Sequence, residues 1–265
     1  MRTITGKDNQ YLKLARSLAS KKARRERGCF LVEGLRLSEE LLASSFAVRY
    51  GLCSERISGD GRGQALLTLA AARGIELYMV EQRLLDGVSA AEHTQGILFV
   101  VELPMAAPLP VLRKQALLGD RIADPGNLGA MLRTAQAAGA AAFITNAGCA
   151  DLFAPKTVRA SMGALFKLPL WAEAADEDVY AACRVQGLEI CVAAACGENV
   201  FAAPPLWVLG AEAVGVSEFW LSRADRRISL PMAANAESLN VAAAAAVLLY
   251  QGAYGGFAPP AAEKI

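Results

Sequence analysis

Residues 116–145 read ALLGDRIADPGNLGAMLRTAQAAGAAAFIT. An apolar run (116–122) passes into a turn sequence, Asp124-Pro125-Gly126-Asn127. A helical stretch (128–138) follows, stopped by Gly139, and then a second apolar run (141–145). Short apolar strands separated by helices imply a parallel sheet covered on both faces. The alternation continues downstream, with helices expected at 157–166, 178–185 and 239–250 and strands at 190–194, 207–210 and 228–230. In such sheets ligands bind beyond the carboxyl ends of the strands. The loops that follow strands are therefore where function is sought.

Upstream, the same alternation runs on a smaller scale. Helical periodicity covers 9–27, with Leu12, Leu14 or Ala15, Leu18 and Ala19 recurring on one side. Strands are expected at 29–32, 48–53, 75–80 and 96–101, and helices at 35–43 and 64–72, the latter stopped by Gly74. This reads as a small α/β sandwich of roughly a hundred residues. The segment LPMAAPLP (103–110) holds three prolines in eight residues and suits an extended linker. It divides the chain into domains 1–105 and 111–265.

Composition narrows the function classes. Of 265 residues, 54% are hydrophobic and 20% charged, enough for a sizeable core and too apolar for disorder. No apolar run is long enough to cross a bilayer, and the longest candidate, 241–250, reads as a buried helix. Residues 1–10 are polar and carry no apolar signal core, so the expected location is the cytoplasm. Six cysteines without a CxxC pair read as buried reduced thiols. The one histidine, His93, cannot supply a multi-histidine metal site, and no GxSxG elbow accompanies it. No metal is expected. Net charge is only +1, yet Lys13, Arg16, Lys21, Lys22, Arg24, Arg25 and Arg27 face a single acid, Glu26, within 13–27. Such a run is often just a solvated helix face. This imbalance favours contact with RNA phosphates.

Three loops after strands are rich in small or polar residues: Asp124–Gly129, Gly210–Gly215 and 236–240. Singly, each has a structural explanation. Asn127 could cap its helix, Gly210 and Gly215 could serve a bend, and Ser238 or Glu237 could be an N-cap. The Gly210–Gly215 spacing resembles a phosphate-cradling loop, but Val216-Ser217 stands where Lys and Ser/Thr are needed. No GxGxxG follows a strand, which weakens a nucleotide-dependent oxidoreductase.

Together and in order, the loops resemble the SpoU/TrmH family of RNA 2′-O-ribose methyltransferases, within the SPOUT class. The first family motif is matched by DPGNLGAMLRTAQAAGA, with Asn127, Gly129, Arg133 and Gly139. The second is matched by LGAEAVGVSEFWLSRADRRISLPM, with Gly210, Glu212, Gly215 and Pro231. The third is matched by ESLNVAAAAAVLLY, with Ser238, Leu239 and Asn240. PKTVRASMGALFKLP resembles the connecting helix, with Lys156, Arg159, Ser161 and Gly163. The likeness covers roughly 117–250. One departure is Ala234, where many relatives carry glycine. In the first half, KKARRERGCFLVEGLRLSEELL is similar to the N-terminal RNA-binding extension of the ribosomal-RNA subfamily, through Lys22, Arg24, Arg25, Phe30, Glu33, Gly34 and Arg36.

The resemblance implies an α/β fold with a trefoil knot in the C-terminal domain, against the general rule that chains avoid knots. It implies S-adenosylmethionine as methyl donor, held by Leu209, Gly210, Ile228, Leu230, Met232, Leu239 and Asn240. It implies catalytic work for Arg133, with Asn127, Glu212, Ser238 and Asn240 orienting the reacting groups. A guanidinium stays protonated, so binding phosphate and stabilising a developing alkoxide is physically easier for Arg133 than acting as a base. RNA contacts are expected from Lys13, Lys21, Lys22, Arg24, Arg25, Arg36, Lys156 and Arg159. A homodimer through the C-terminal domain is implied, with the last helix at the interface. The alternatives are a tRNA ribose methyltransferase and a non-catalytic RNA-binding protein on the same fold.

Overall fold

The computed structural model describes residues 2–59, 61–89, 94–105, 111–112, 114–198, 206–233 and 238–254. His93, Ala234, Glu237 and most of the expected linker lie outside them. The chain divides into two units, Met1–Met105 with Asp151–Lys167, and Ala106–Ala150 with Leu168–Ile265.

The first unit opens with β1 (Arg2–Ile4), α1 (Gln10–Ser17), α2 (Lys21–Arg27), β2 (Cys29–Glu33) and α3 (Leu35–Leu42). It continues with β3 (Val48–Cys53), α4 (Glu55–Ser58), α5 (Gly61–Ala72), β4 (Leu77–Val80), α6 (Gln82–Asp86) and β5 (Ile97–Glu102). Its sheet runs β1-β4-β3-β5-β2. The β1, β4 and β3 pairs are parallel, while β5 is antiparallel to both β3 and β2. Leu12, Ala15 and Leu18 bury against Cys29, Leu31, Tyr50 and Leu52.

The single helix expected over 9–27 is two helices. Arg24 of α2 turns inward, only 3% exposed, and its Nη1 donates to the carbonyls of Leu18 (2.7 Å) and Ala19 (2.9 Å). Those carbonyls have lost their helical partners where α1 ends. The basic run therefore breaks because one of its own arginines satisfies the break. Gly28, at φ +63, stops α2.

The second unit begins with β6 (Ala116–Asp120), α7 (Pro125–Ala137) and β7 (Phe143–Asn146). The chain then passes through α8 (Pro155–Ala160), which belongs to the first unit. It returns with β8 (Leu170–Ala174), α9 (Asp176–Gln186), β9 (Ile190–Glu198), β10 (Leu206–Gly210), α10 (Glu218–Arg223), β11 (Arg226–Ile228) and α11 (Val241–Tyr254). The sheet order is β11-β9-β10-β6-β7-β8, and every pairing is parallel. Leu118, Ile144, Val192, Val208 and Trp220 share one core cluster. On the central strand Trp207 is fully buried, and its Nε1 donates to Gln115 Oε1 at 3.0 Å. From β6 the chain walks outward to β7 and β8, then crosses to β9 and comes back to β10. The order reverses between β6 and β10, whose carboxyl ends, Asp120 and Gly210, are register partners.

The helix expected over 157–166 ends at Ala160. Met162 (φ +51) and Gly163 (φ +93) adopt left-handed backbone, and a 3-10 turn, Ala164–Phe166, follows. A Cβ on Gly163 would lie 2.8 Å from Glu40 Cγ, so the glycine serves a close approach within the first unit. Phe153 packs on Phe30 with centroids 5.0 Å apart, and Phe166 on Phe46 at 5.4 Å.

Candidate active site

The DPGN turn leaves β6 and opens α7. Asp124 is the cap: its Oδ1 accepts from the Asn127 amide at 2.7 Å, and Pro125 occupies the first turn, where its missing amide costs nothing. The Asn127 side chain is thereby free of capping. The same replacement occurs at α11. Its cap is Asn240, whose Oδ1 accepts from the amides of Ala242 (3.0 Å) and Ala243 (3.4 Å), rather than Ser238.

The freed Asn127 side chain and the side-chain amide nitrogen of the cap Asn240 meet on the second loop. Glu212 Oε1 accepts from Asn127 Nδ2 (3.0 Å), Asn240 Nδ2 (2.7 Å) and the Val241 amide (3.3 Å). Asn240 Nδ2 also donates to Asn127 Oδ1 at 3.0 Å. One carboxylate oxygen thus ties together all three loops singled out in the sequence. Its charge also suits the first turn of α11. In a double-mutant cycle on stability, Asn127→Ala and Glu212→Ala are expected to couple by about 0.5 kcal/mol or more. Strict additivity in denaturant unfolding would break the cluster apart.

Glu212 also lines a cleft of about 490 Å³. Six of the residues expected to hold the donor, Leu209, Gly210, Ile228, Leu230, Met232 and Leu239, are on its wall, together with Ser238. Asn240 is not on the wall, and its side chain joins the cleft through Glu212. The loop that closes it folds on itself: the Gly215 amide donates to the Ala211 carbonyl at 2.8 Å. A Cβ on Gly210 would lie 2.2 Å from the Gly215 carbonyl, so this glycine is required by the loop itself. Arg133 is exposed on α7, outside the hydrogen-bonded cluster.

Sequence reasoning missed a buried polar network beneath these loops. Asp120 is fully buried, and its Oδ1 accepts from Asn146 Nδ2 at 2.7 Å. The same nitrogen reaches Asp176 Oδ1 (3.0 Å), which accepts from Trp220 Nε1 at 2.9 Å. The usable signal was position: Asp120 and Asn146 are polar residues ending two apolar strands. Nearby, burial pushes the Cys149 thiol up, which suits a structural thiol that donates to the Gly119 carbonyl. Cys29, Cys53, Cys149, Cys183 and Cys191 are all buried.

The residues expected to contact RNA all belong to the first unit, including Lys156 and Arg159 on α8. Lys13, Lys21, Lys22, Arg25, Arg36 and Lys156 are exposed, and Arg159 is half-buried. Arg24 is the exception. Its guanidinium is committed to Asp151 (Nη2–Oδ2 2.6 Å), so it is a buried strut and not a phosphate contact.

Residues 114–250 match the SpoU rRNA Methylase family, and residues 9–98 match the MRM3-like substrate binding domain. The chain belongs to the SpoU rRNA methylase family. This SpoU chain is 34% identical to the 23S rRNA (guanosine(2553)-2′-O)-methyltransferase RlmP of Bacillus subtilis, over 94% of its own length and 98% of that relative's. It superposes on the AdoMet-bound rRNA methyltransferase from Sinorhizobium meliloti with a TM-score of 0.84 at 26% identity, covering 95% of this chain and 97% of that one. It also matches the SpoU methyltransferase AviRb from Streptomyces viridochromogenes in complex with AdoMet. There the TM-score is 0.82 at 28% identity, covering 92% and 97% of the two chains.

Proposed function

We propose that this SpoU protein transfers a methyl group from S-adenosylmethionine to the 2′-hydroxyl of a ribose in ribosomal RNA. The observation that carries the reading is Glu212, which belongs at once to the cross-loop cluster and to the cleft wall. The cleft suits the donor. Its volume lies within the roughly 300–1,000 Å³ of small-molecule sites. Leu209, Ile228, Leu230 and Leu239 offer an apolar wall for an adenine, while Glu212 and Ser238 offer polar atoms. The 23S rRNA specificity in the name of the Bacillus subtilis relative points to ribosomal RNA.

When bound, S-adenosylmethionine supplies an electrophilic methyl on a positively charged sulfur. The chain's own task is then to place a weak nucleophile in line with it. Asn127, Glu212, Ser238 and Asn240 orient the groups around the cleft. Arg133 binds the RNA phosphate and stabilises charge developing on the ribose oxygen. The segment 209–232 supplies most of the donor pocket, within a trefoil knot. The last helix, α11, joins two subunits in a homodimer. The first unit is the RNA-binding domain, and its exposed cations give affinity with little sequence choice. No helix among the described residues is long and apolar enough to cross a membrane.

The test is transfer of labelled methyl from S-adenosylmethionine to ribosomal RNA that lacks the modification. Incorporation into ribosomal RNA and not tRNA supports the reading, and incorporation into tRNA alone overturns its substrate. Donor binding with no transfer to any RNA would leave only a binding protein. The basic face has its own expected result. Replacing Lys21, Lys22 and Arg25 by alanine lowers the slope of log affinity against log salt by about 2 for a single-stranded site. An unchanged slope in filter binding removes those residues from the interface.

A further inference from the structure

Asp120 and Arg121 stand where the strand order reverses, between the ends of β6 and β10. Both Asp120 oxygens are engaged. Oδ1 accepts from Asn146 Nδ2 and lies 3.3 Å from Arg121 Nε, and Oδ2 accepts from the Ser217 amide at 2.5 Å. Arg121 holds left-handed backbone at φ +58. Its amide donates to Asn146 Oδ1 at 2.8 Å, and its Nη2 reaches the Gly215 carbonyl at 3.4 Å. These two neighbours thus grip the loop on both sides of Val216, which is buried and lies on the cleft wall. A non-glycine residue in left-handed backbone persists only when its surroundings over-determine it, and such residues gather at functional sites.

We propose that Asp120 and Arg121 are positioning residues for the methyl-donor cleft: they clamp the backbone of the Gly215–Ser217 segment, of which Gly215 and Val216 line the cleft, and so set donor affinity. The inference rests on the methyltransferase reading above. The clamp acts on the backbone of the loop, so the identity of side chains along Ala213–Gly215 matters less to it than the two grips. The buried carboxylate fixes the amide side, and the guanidinium fixes the carbonyl side. Asn146 joins the grips, since it serves Asp120 with its nitrogen and Arg121 with its oxygen.

The experiment compares the wild type with Arg121→Gly, Arg121→Lys and Asp120→Asn. Glycine accepts left-handed backbone without strain, so Arg121→Gly removes the guanidinium and keeps the turn. Lysine keeps a cation that can reach a carbonyl. Asparagine at 120 can still accept from the Ser217 amide but cannot also accept from Asn146. Titration with S-adenosylhomocysteine and steady-state kinetics in both substrates are the readouts. Arg121→Gly is expected to raise the Kd for S-adenosylhomocysteine and the KM for S-adenosylmethionine about tenfold. The KM for RNA stays near wild type, kcat at saturating donor falls by less than the donor KM rises, and Arg121→Lys recovers part of the loss.

A donor affinity within twofold of wild type in Arg121→Gly overturns the clamp. So does a parallel loss of RNA affinity, kcat and melting temperature, which marks general loosening. Should Asp120→Asn fail to fold, Arg121→Gly still decides. If the wild type binds neither S-adenosylmethionine nor S-adenosylhomocysteine, the methyltransferase reading and the clamp fall together. If the wild type binds and Arg121→Gly binds equally well, only the clamp falls.

Discussion

Arg133→Ala is expected to lower kcat for methyl transfer by about 10²- to 10³-fold, the usual effect of removing one donor aimed at developing negative charge. The melting temperature should hardly move. Arg133 is exposed on α7, and exposed positions away from caps and networks typically change stability by no more than about 0.5 kcal/mol. The loss belongs to the transition state and not to donor binding, because Arg133 is not on the cleft wall. Donor titration should therefore give the wild-type value. Arg133→Lys separates charge from geometry. A lysine keeps the cation but lacks the planar fork, so it should recover only part of the rate. Single-turnover transfer at saturating donor is the measurement, and a wild-type rate in Arg133→Ala removes this residue from the chemistry.

The second large effect is on stability. Arg24→Ala is expected to cost about 3–5 kcal/mol, the range for removing one partner of a buried ion pair. Arg24 donates four hydrogen bonds: Nε and Nη2 to Asp151 Oδ2, and Nη1 to the carbonyls of Leu18 and Ala19. Its side chain is 4% exposed and that of Asp151 15%, so alanine takes the cation from a nearly buried carboxylate, whose Oδ1 keeps the Phe153 amide, and the donor from two carbonyls at the end of α1. Replacing both partners by apolar residues of similar size should restore much of the loss. Trp171, Trp207 and Trp220 all lie in the second unit, so tryptophan fluorescence reports that unit alone. The effect is read instead from amide exchange in β2. The exposed neighbour Arg25 is the control, and equal protection in Arg24→Ala and Arg25→Ala would dissolve the strut.

Much of this was readable from the sequence because it depends on local pattern. Apolar runs between turn signals located most strands of both sheets, and the polar loops after β6 and β10 held the residues that meet at Glu212. What escaped depends on distant partners. The cap of α7 is Asp124, while Asn127 turns to a partner 85 residues away, in Glu212, and Asn240 caps α11 with its oxygen while its nitrogen reaches the same carboxylate. The basic helix breaks because Arg24 caps α1 and pairs with Asp151, 127 residues on. The segment 151–167 joins the first unit because Phe153 and Phe166 find Phe30 and Phe46, which no periodicity within the segment announces. Strand β8 was missed since it is an edge strand, half-exposed, with Glu173 at φ +53 and an irregular register against β7. The network at Asp120 was passed over because its meaning comes from burial, and a lone aspartate after an apolar run reads equally well as a turn.

The central claim is that the methyl lands on a ribose oxygen. Ribosomal RNA transcribed without modification, incubated with the protein and S-adenosylmethionine, and digested to nucleosides tests it most directly. The predicted result is a 2′-O-methylated ribonucleoside in the digest and, in undigested RNA, a phosphodiester that resists alkaline cleavage, both strongly reduced with Arg133→Ala. A base-methylated nucleoside, or full donor binding with no 2′-O-methylated product from any RNA, would contradict it.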